Sequence, residues 1–153
     1  MSKVIVLDSG PLGLLVHRSG VAPADDCRRW AKAHLLAGSR FIVPEIADYE
    51  LRRELLRLGK KEAVAKLDAF APRHTEAYLP ITTDAMRLAA ELWAQSRRTG
   101  TPTASPSAID VDVILAAQVL SCGHASGECV VATSNLGHLT QFVPAQRWDL
   151  IAP

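Results

Sequence analysis

Three short runs in this chain are apolar almost without a break, and they set what it can fold into. They are VIVL at 4–7, FIV at 41–43 and VVAT at 130–133. A strand wetted on one face alternates apolar with polar residues, so an unbroken β-branched run marks a strand covered on both faces. The stretches between them carry helical spacing. Residues 11–16 open on a proline, which a first helical turn tolerates. Residues 24–37 begin near Asp25 and Asp26 and stop at Gly38; residues 45–58 stop at Gly59. Residues 60–70 complete a helical hairpin. Residues 83–98 form a long helix capped by Thr83, with Met86, Leu88, Ala89, Leu92 and Trp93 on its apolar face. Residues 107–122 are helical and apolar on nearly every side.

Two weaker signals complete the order. YLPIT at 78–82 is a short strand that Pro80 demotes to an edge or a bend. The tail with Trp148, Leu150 and Ile151 adds an edge strand. Gly100, Pro102 and Pro106 make residues 99–107 a loop. Strands alternating with helices predict a three-layer α/β/α sandwich around a mainly parallel sheet, a single domain over residues 1–153. Ligands of such sheets sit beyond the carboxyl ends of the strands. The residues that follow each strand are therefore the ones to inspect.

Composition removes several functional classes. Basic and acidic residues number 17 and 16, a net charge of +1, so any nucleic-acid contact rests on a local patch. Cys27, Cys122 and Cys129 are odd in number with no CxxC spacing, the pattern of reduced thiols in a cytoplasmic protein. Lys3 and VIVL begin like a signal peptide, but Asp8 and Gly10-Pro11 interrupt it. No apolar run approaches the roughly 18 residues of a membrane span, so no membrane partner is expected.

Four polar residues stand where apolar ones belong. Asp8 ends the first strand; taken alone, it is a cap or turn residue leading into Gly10-Pro11. Asp112 opens DVILAAQVL, where an ionised carboxylate needs a partner or a cation. Asp110 lies two residues earlier, roughly 200° around a helix, so one of the two acids caps the helix and the other is functional. Glu50 sits in EIADYELRREL beside Tyr49 and Leu51, near the seam marked by Ile46, Tyr49, Leu51 and Leu55. Glu45 and Glu54 belong to a solvated face, with Glu54 paired to Arg57 or Arg53. Asn135 follows the last strand. Acids gathered at one sheet edge repel each other unless a divalent cation neutralises them, and hard oxygen donors suit Mg²⁺ or Mn²⁺.

With these pieces in order, the chain resembles the PIN-domain nucleases, and among them the VapC-type toxins of bacterial toxin–antitoxin pairs. The matching segments are VIVLDSGPLG, VPEIADYELRREL, DVDVILAAQVL and VVATSNLGHL, spread over nearly the whole chain. The resemblance implies an endoribonuclease that uses Mg²⁺ or Mn²⁺. It implies Asp8, Glu50 and Asp112 as catalytic acids, with Asp8, Asp112 and Asn135 on the metal and Glu50 reaching it through water. Asp110 is an alternative ligand, and Ser9, Thr133 and His138 are supporting groups. Asn135 stands where relatives often carry Asp, and His138 where some carry a further acid, a departure that weakens a second metal site. The resemblance also implies a homodimer, a cognate antitoxin and an RNA substrate.

Two other functions compete with this one. A phosphatase of the haloacid-dehalogenase type also places an Asp after its first strand, but needs a second acid where this chain has Gly10. An inert PIN-like module that binds RNA or protein without cutting is the alternative that Asn135 and His138 leave open. Arg52, Arg53, Arg57, Lys60 and Lys61, with Arg97 and Arg98 later, are either phosphate contacts or a salt-bridged surface. Trp30, Trp93 and Trp148 are packing residues.

Overall fold

The computed structural model describes residues 2–100, 106–124 and 127–153, with the side chains of 106–109 left aside. Five parallel strands stand in the order β3-β2-β1-β4-β5: β1 Val4–Leu7, β2 Arg40–Pro44, β3 Tyr78–Leu79, β4 Cys129–Thr133 and β5 Ala145–Arg147. Helices α1 Ser9–Val16, α2 Ala22–Leu36, α3 Glu45–Arg57, α4 Lys61–Phe70, α5 Thr83–Thr99 and α6 Pro106–Leu120 cover the sheet. This is the three-layer α/β/α sandwich with a parallel sheet that the sequence leads one to expect.

The unbroken apolar runs are explained by two cores. Val4 and Val6 pack with Leu115, Ala116 and Val119 of α6 on one face. Ile5 and Leu7 pack with Leu12, Val16, Ala47 and Leu67 on the other. Alternate residues of β1 thus enter opposite layers, and each buried Ile or Leu contributes about 1.5–3 kcal/mol. Beyond α6, Ala85 and Ala89 of α5 meet Val113 and Ala117. Small residues let these two helices approach closely.

Several boundaries move from the sequence reading. The first helix starts at Ser9 because Asp8 caps it, so SGP is helix rather than turn. Thr82, not Thr83, caps α5 through Ala85 N at 3.0 Å. Met86 is 44% exposed and so leaves the apolar face of α5, where Leu88, Ala89, Leu92 and Trp93 pack as expected, joined by Ala85. Pro80 cuts the 78–82 strand to two residues at the sheet edge. In the tail the strand is Ala145–Arg147, and Trp148–Leu150 forms a 3₁₀ turn that brings Trp148 to 5.6 Å from Trp30. Helix α6 begins at Pro106; the expected loop at 101–105 lies outside the described residues.

β1 lies between β2 and β4, with α1 and α2 leading away from it to β2. The order therefore reverses between β1 and β4, and the carboxyl ends of those strands flank the crevice where such sheets bind ligands. Asp8 stands at one lip and Thr133 and Asn135 at the other. Among the described residues no helix is long and apolar enough to cross a membrane.

Candidate functional site

Register places the first pair. Leu7 pairs with Ala132, so Asp8 and Thr133 emerge side by side from β1 and β4. Asp8 takes three roles at once. Its carbonyl accepts Leu12 N at 3.1 Å and opens α1. Its Oδ1 accepts Ser9 N at 2.8 Å, and Thr133 Oγ1 lies 2.8 Å from its Oδ2. Ser9 in turn meets Glu50 Oε1 of α3 through its hydroxyl.

The loop after β4 reaches the third acid. His138 N donates to Asp112 Oδ2 at 3.4 Å. A Cβ on Gly137 would stand 3.3 Å from that oxygen, and the φ of +48° there is one that L side chains rarely adopt. Glycine at this position lets the backbone close on the carboxylate. A chain of contacts therefore runs Glu50–Ser9–Asp8–Thr133, and the same loop carries on to His138 and Asp112.

The electrostatics follow from that crowding. Burial pushes the Asp8 carboxyl up and the charge of Glu50 adds to the rise, against the hydrogen bonds from Thr133 and Ser9. Burial also raises Asp112; Asp8 and Glu50 push the same way, while the His138 amide and ring oppose them. Three acids thus act on each other at one edge. Among the described residues no three His, Cys, Asp or Glu side chains close in on a single point. The donor chemistry, carboxylate and amide oxygens, is that of hard divalent cations.

The remaining expected residues are placed as follows. Asn135 is exposed, and its Oδ1 accepts Gly137 N at 3.1 Å, which leaves one lone pair on that oxygen. The His138 ring turns its Nδ1 to Gln141 Nε2 at 3.0 Å. Asp110 is exposed and lies inside α6, as Asp112 does, so neither acid is the helix cap that one of them was expected to be. Glu45 is not a solvated-face acid: it accepts Ile81 N at 2.8 Å and the Tyr78 hydroxyl at 3.2 Å, fixing β3. Tyr49 is 54% exposed and so lies off the buried seam.

Comparison with solved structures identifies the fold. FitAB bound to an IR36 DNA fragment matches with a TM-score of 0.66 at 18% identity, over 97% of this chain and 98% of that one. FitAcB from Neisseria gonorrhoeae matches with 0.63 at 17% identity, over 96% and 99%. VapBC2 from Rickettsia felis, bound to a DNA fragment from its promoter, matches with 0.63 at 14%, over 95% and 98%. The chain has a PIN-domain fold. At these identities the likeness is one of fold. No family model and no curated protein matches the sequence itself.

Within the PIN fold, two contacts at the edge escaped the sequence reading. Gly10 faces Ser134 so closely that a Cβ there would stand 2.8 Å from Ser134 Cβ and nearer still to its hydroxyl. Gln118, buried in α6, accepts Ile46 N at 3.1 Å and donates to Leu79 O at 2.8 Å, so α6 is tied to the start of α3 and to β3. A lone Gly in a helix and a Gln in an apolar run were the only signals. Neither names its partner.

Proposed function

We propose that this chain is a metal-dependent endoribonuclease and the toxin of a type II toxin–antitoxin module, cleaving RNA phosphodiester bonds. The observation that carries the proposal is the gathering of Asp8, Glu50 and Asp112 at the strand-order reversal, linked through Ser9 and the loop after β4. Likeness in fold to proteins of VapBC and FitAB complexes supports the biological setting.

Asp8 and Asp112 would hold Mg²⁺ or Mn²⁺, with the Asn135 side-chain oxygen as a neutral donor. When bound, such an ion supplies positive charge to the scissile phosphate and eases ionisation of a coordinated water. The chain's own groups do the positioning. Thr133 and Ser9 fix the Asp8 carboxylate by its two oxygens. Ser9 also fixes Glu50 by Oε1, leaving the other oxygen to take up a proton from water. The Gly137–His138 backbone fixes Asp112. An antitoxin inhibits most simply by inserting a cation, and an arginine fork matches paired carboxylates. A homodimer and an RNA substrate complete the proposed setting.

The test is cleavage of labelled RNA by purified protein. Activity is expected with Mg²⁺ or Mn²⁺, none in chelator, and a loss of about a hundredfold or more in Asp8→Asn and Asp112→Asn. Full activity in both variants overturns the proposal.

A further inference from the structure

The cluster of basic residues around the helical hairpin separates into two populations. Arg52 is spent on Asp48 at 2.7 Å and Asp68 at 2.8 Å, and Arg57 on Glu54. The Arg53 guanidinium lies 5.2 Å from the centre of the Tyr49 ring. Lys60 and Lys61 differ. They face a groove of about 630 Å³ between the end of α1 and the α3–α4 turn, joined there by Arg18 and Lys66 against one acid, Glu62. None of these five side chains makes an ion pair among the described residues. In a chain whose net charge is only +1, this is a concentration of unspent positive charge.

The position of the groove says what would use it. Helices α1 and α3 carry Ser9 and Glu50 at the acidic edge; Val16 and Leu55 of the same two helices, with Leu58 just past α3, line the groove. From Ser9 to Val16 is about 10 Å along the axis at 1.5 Å per residue. The floor is aliphatic and a single ring, that of His17, lines the groove, too little for a platform on which successive bases stack. At its mouth Lys60 stands at the N-cap of α4 without a side-chain capping bond, and nothing lies within 4 Å of the Cβ position of Gly59, at φ +69°. An open backbone turn, an uncapped helix start and several lysines suit phosphate oxygens.

We propose that this groove carries the sugar–phosphate backbone of single-stranded RNA away from the acidic edge, with Lys60, Lys61, Lys66 and Arg18 as its phosphate contacts. The proposal rests on the ribonuclease reading for its substrate class. It is tested separately, by binding in chelator, where nothing is cut. Fluorescence anisotropy of a labelled oligouridylate is measured against wild type, Lys60→Ala/Lys61→Ala and the exposed control Lys32→Ala, across a salt series. The double variant is expected to bind about tenfold more weakly, and its log–log salt slope to shrink by about 1.4, two phosphates at 0.7 each; Lys32→Ala stays with wild type. Circular dichroism confirms that both variants fold.

Unchanged affinity and slope in the double variant overturn the groove assignment, as does wild-type protein that binds no RNA. So does a double variant that loses affinity for polyglutamate while keeping it for RNA, because the groove is then a site for an acidic peptide. Groove-dependent binding by a wild-type protein that cuts no RNA with Mg²⁺ or Mn²⁺ supports the groove and overturns the nuclease reading alone.

Discussion

Replacing Gly10 by alanine puts the contact between α1 and the loop after β4 under direct strain. The new Cβ would stand 2.8 Å from Ser134 Cβ and 3.3 Å from Ser134 N, where carbon atoms rest at about 3.5–4 Å. The Ser134 hydroxyl can rotate away, but its Cβ is fixed to the backbone, so α1 and the loop must part. Overpacking of this kind costs about 1–3 kcal/mol, and alanine returns up to about 1 kcal/mol of helix propensity. At the middle of the overpacking range, about 2 kcal/mol, the balance is a loss of about 1–2 kcal/mol, or about 2–8 °C in melting temperature for a chain of this size. Thermal and urea unfolding measure it. Ser134→Gly in the same chain removes the clashing carbon and should restore most of the loss. RNA cleavage should fall about tenfold in Gly10→Ala, since the displaced loop carries Thr133 away from Asp8. A Gly10→Ala protein as stable as wild type, or more so, refutes the close approach on which the site's geometry rests.

Other perturbations test the scaffold and its charges. Gln118→Leu strands the Ile46 amide and the Leu79 carbonyl and should cost about 2–4 kcal/mol in urea unfolding. Asp48, only 5% exposed, holds Arg52, so Asp48→Ala should cost about 2–3 kcal/mol, whereas Asp68→Ala, at the exposed end of the same arginine, should cost less than about 1 kcal/mol. The raised carboxyls of Asp8 and Asp112 give a pH signature. A native pKa above the unfolded one contributes stability below the ordinary aspartate value of 3.8 and loses it as pH rises through the native pKa. Without divalent cations, Asp8→Asn should therefore be more stable than wild type at neutral pH, by on the order of 1 kcal/mol. That advantage should shrink as pH falls into the carboxylate range, in urea unfolding of the pair.

The sheet could be read from sequence because an all-apolar β-branched run has few alternatives. VIVL, FIV and VVAT became β1, β2 and β4, and their order placed Asp8 beside Thr133. The acids were visible because each breaks a local rule: Asp8 ends a buried strand and Asp112 interrupts an apolar helix. What the sequence could not show was which groups meet across it. Glu45 reads from sequence as an acid of a solvated face, and Asp48 carries no signal of its own. Only the fold reveals that Glu45 holds β3 and that Asp48 is buried against Arg52. Gly10 read as a turn glycine because its reason, the Ser134 contact, lies more than a hundred residues away. Likewise the basic residues 52–61 formed one cluster in sequence until helical geometry turned the arginines to partners and the lysines to a groove.

The proposed site for a divalent cation stands on Asp8 and Asp112, whose carboxyls burial and the charges of neighbouring acids both raise. Thermal unfolding across a Mn²⁺ titration tests it most directly. Wild-type protein should gain stability with Mn²⁺, about 2.7 kcal/mol at a hundred times the dissociation constant, while Asp8→Asn and Asp112→Asn gain far less. Wild-type stability that ignores Mn²⁺, or a gain equally large in both variants, contradicts the account.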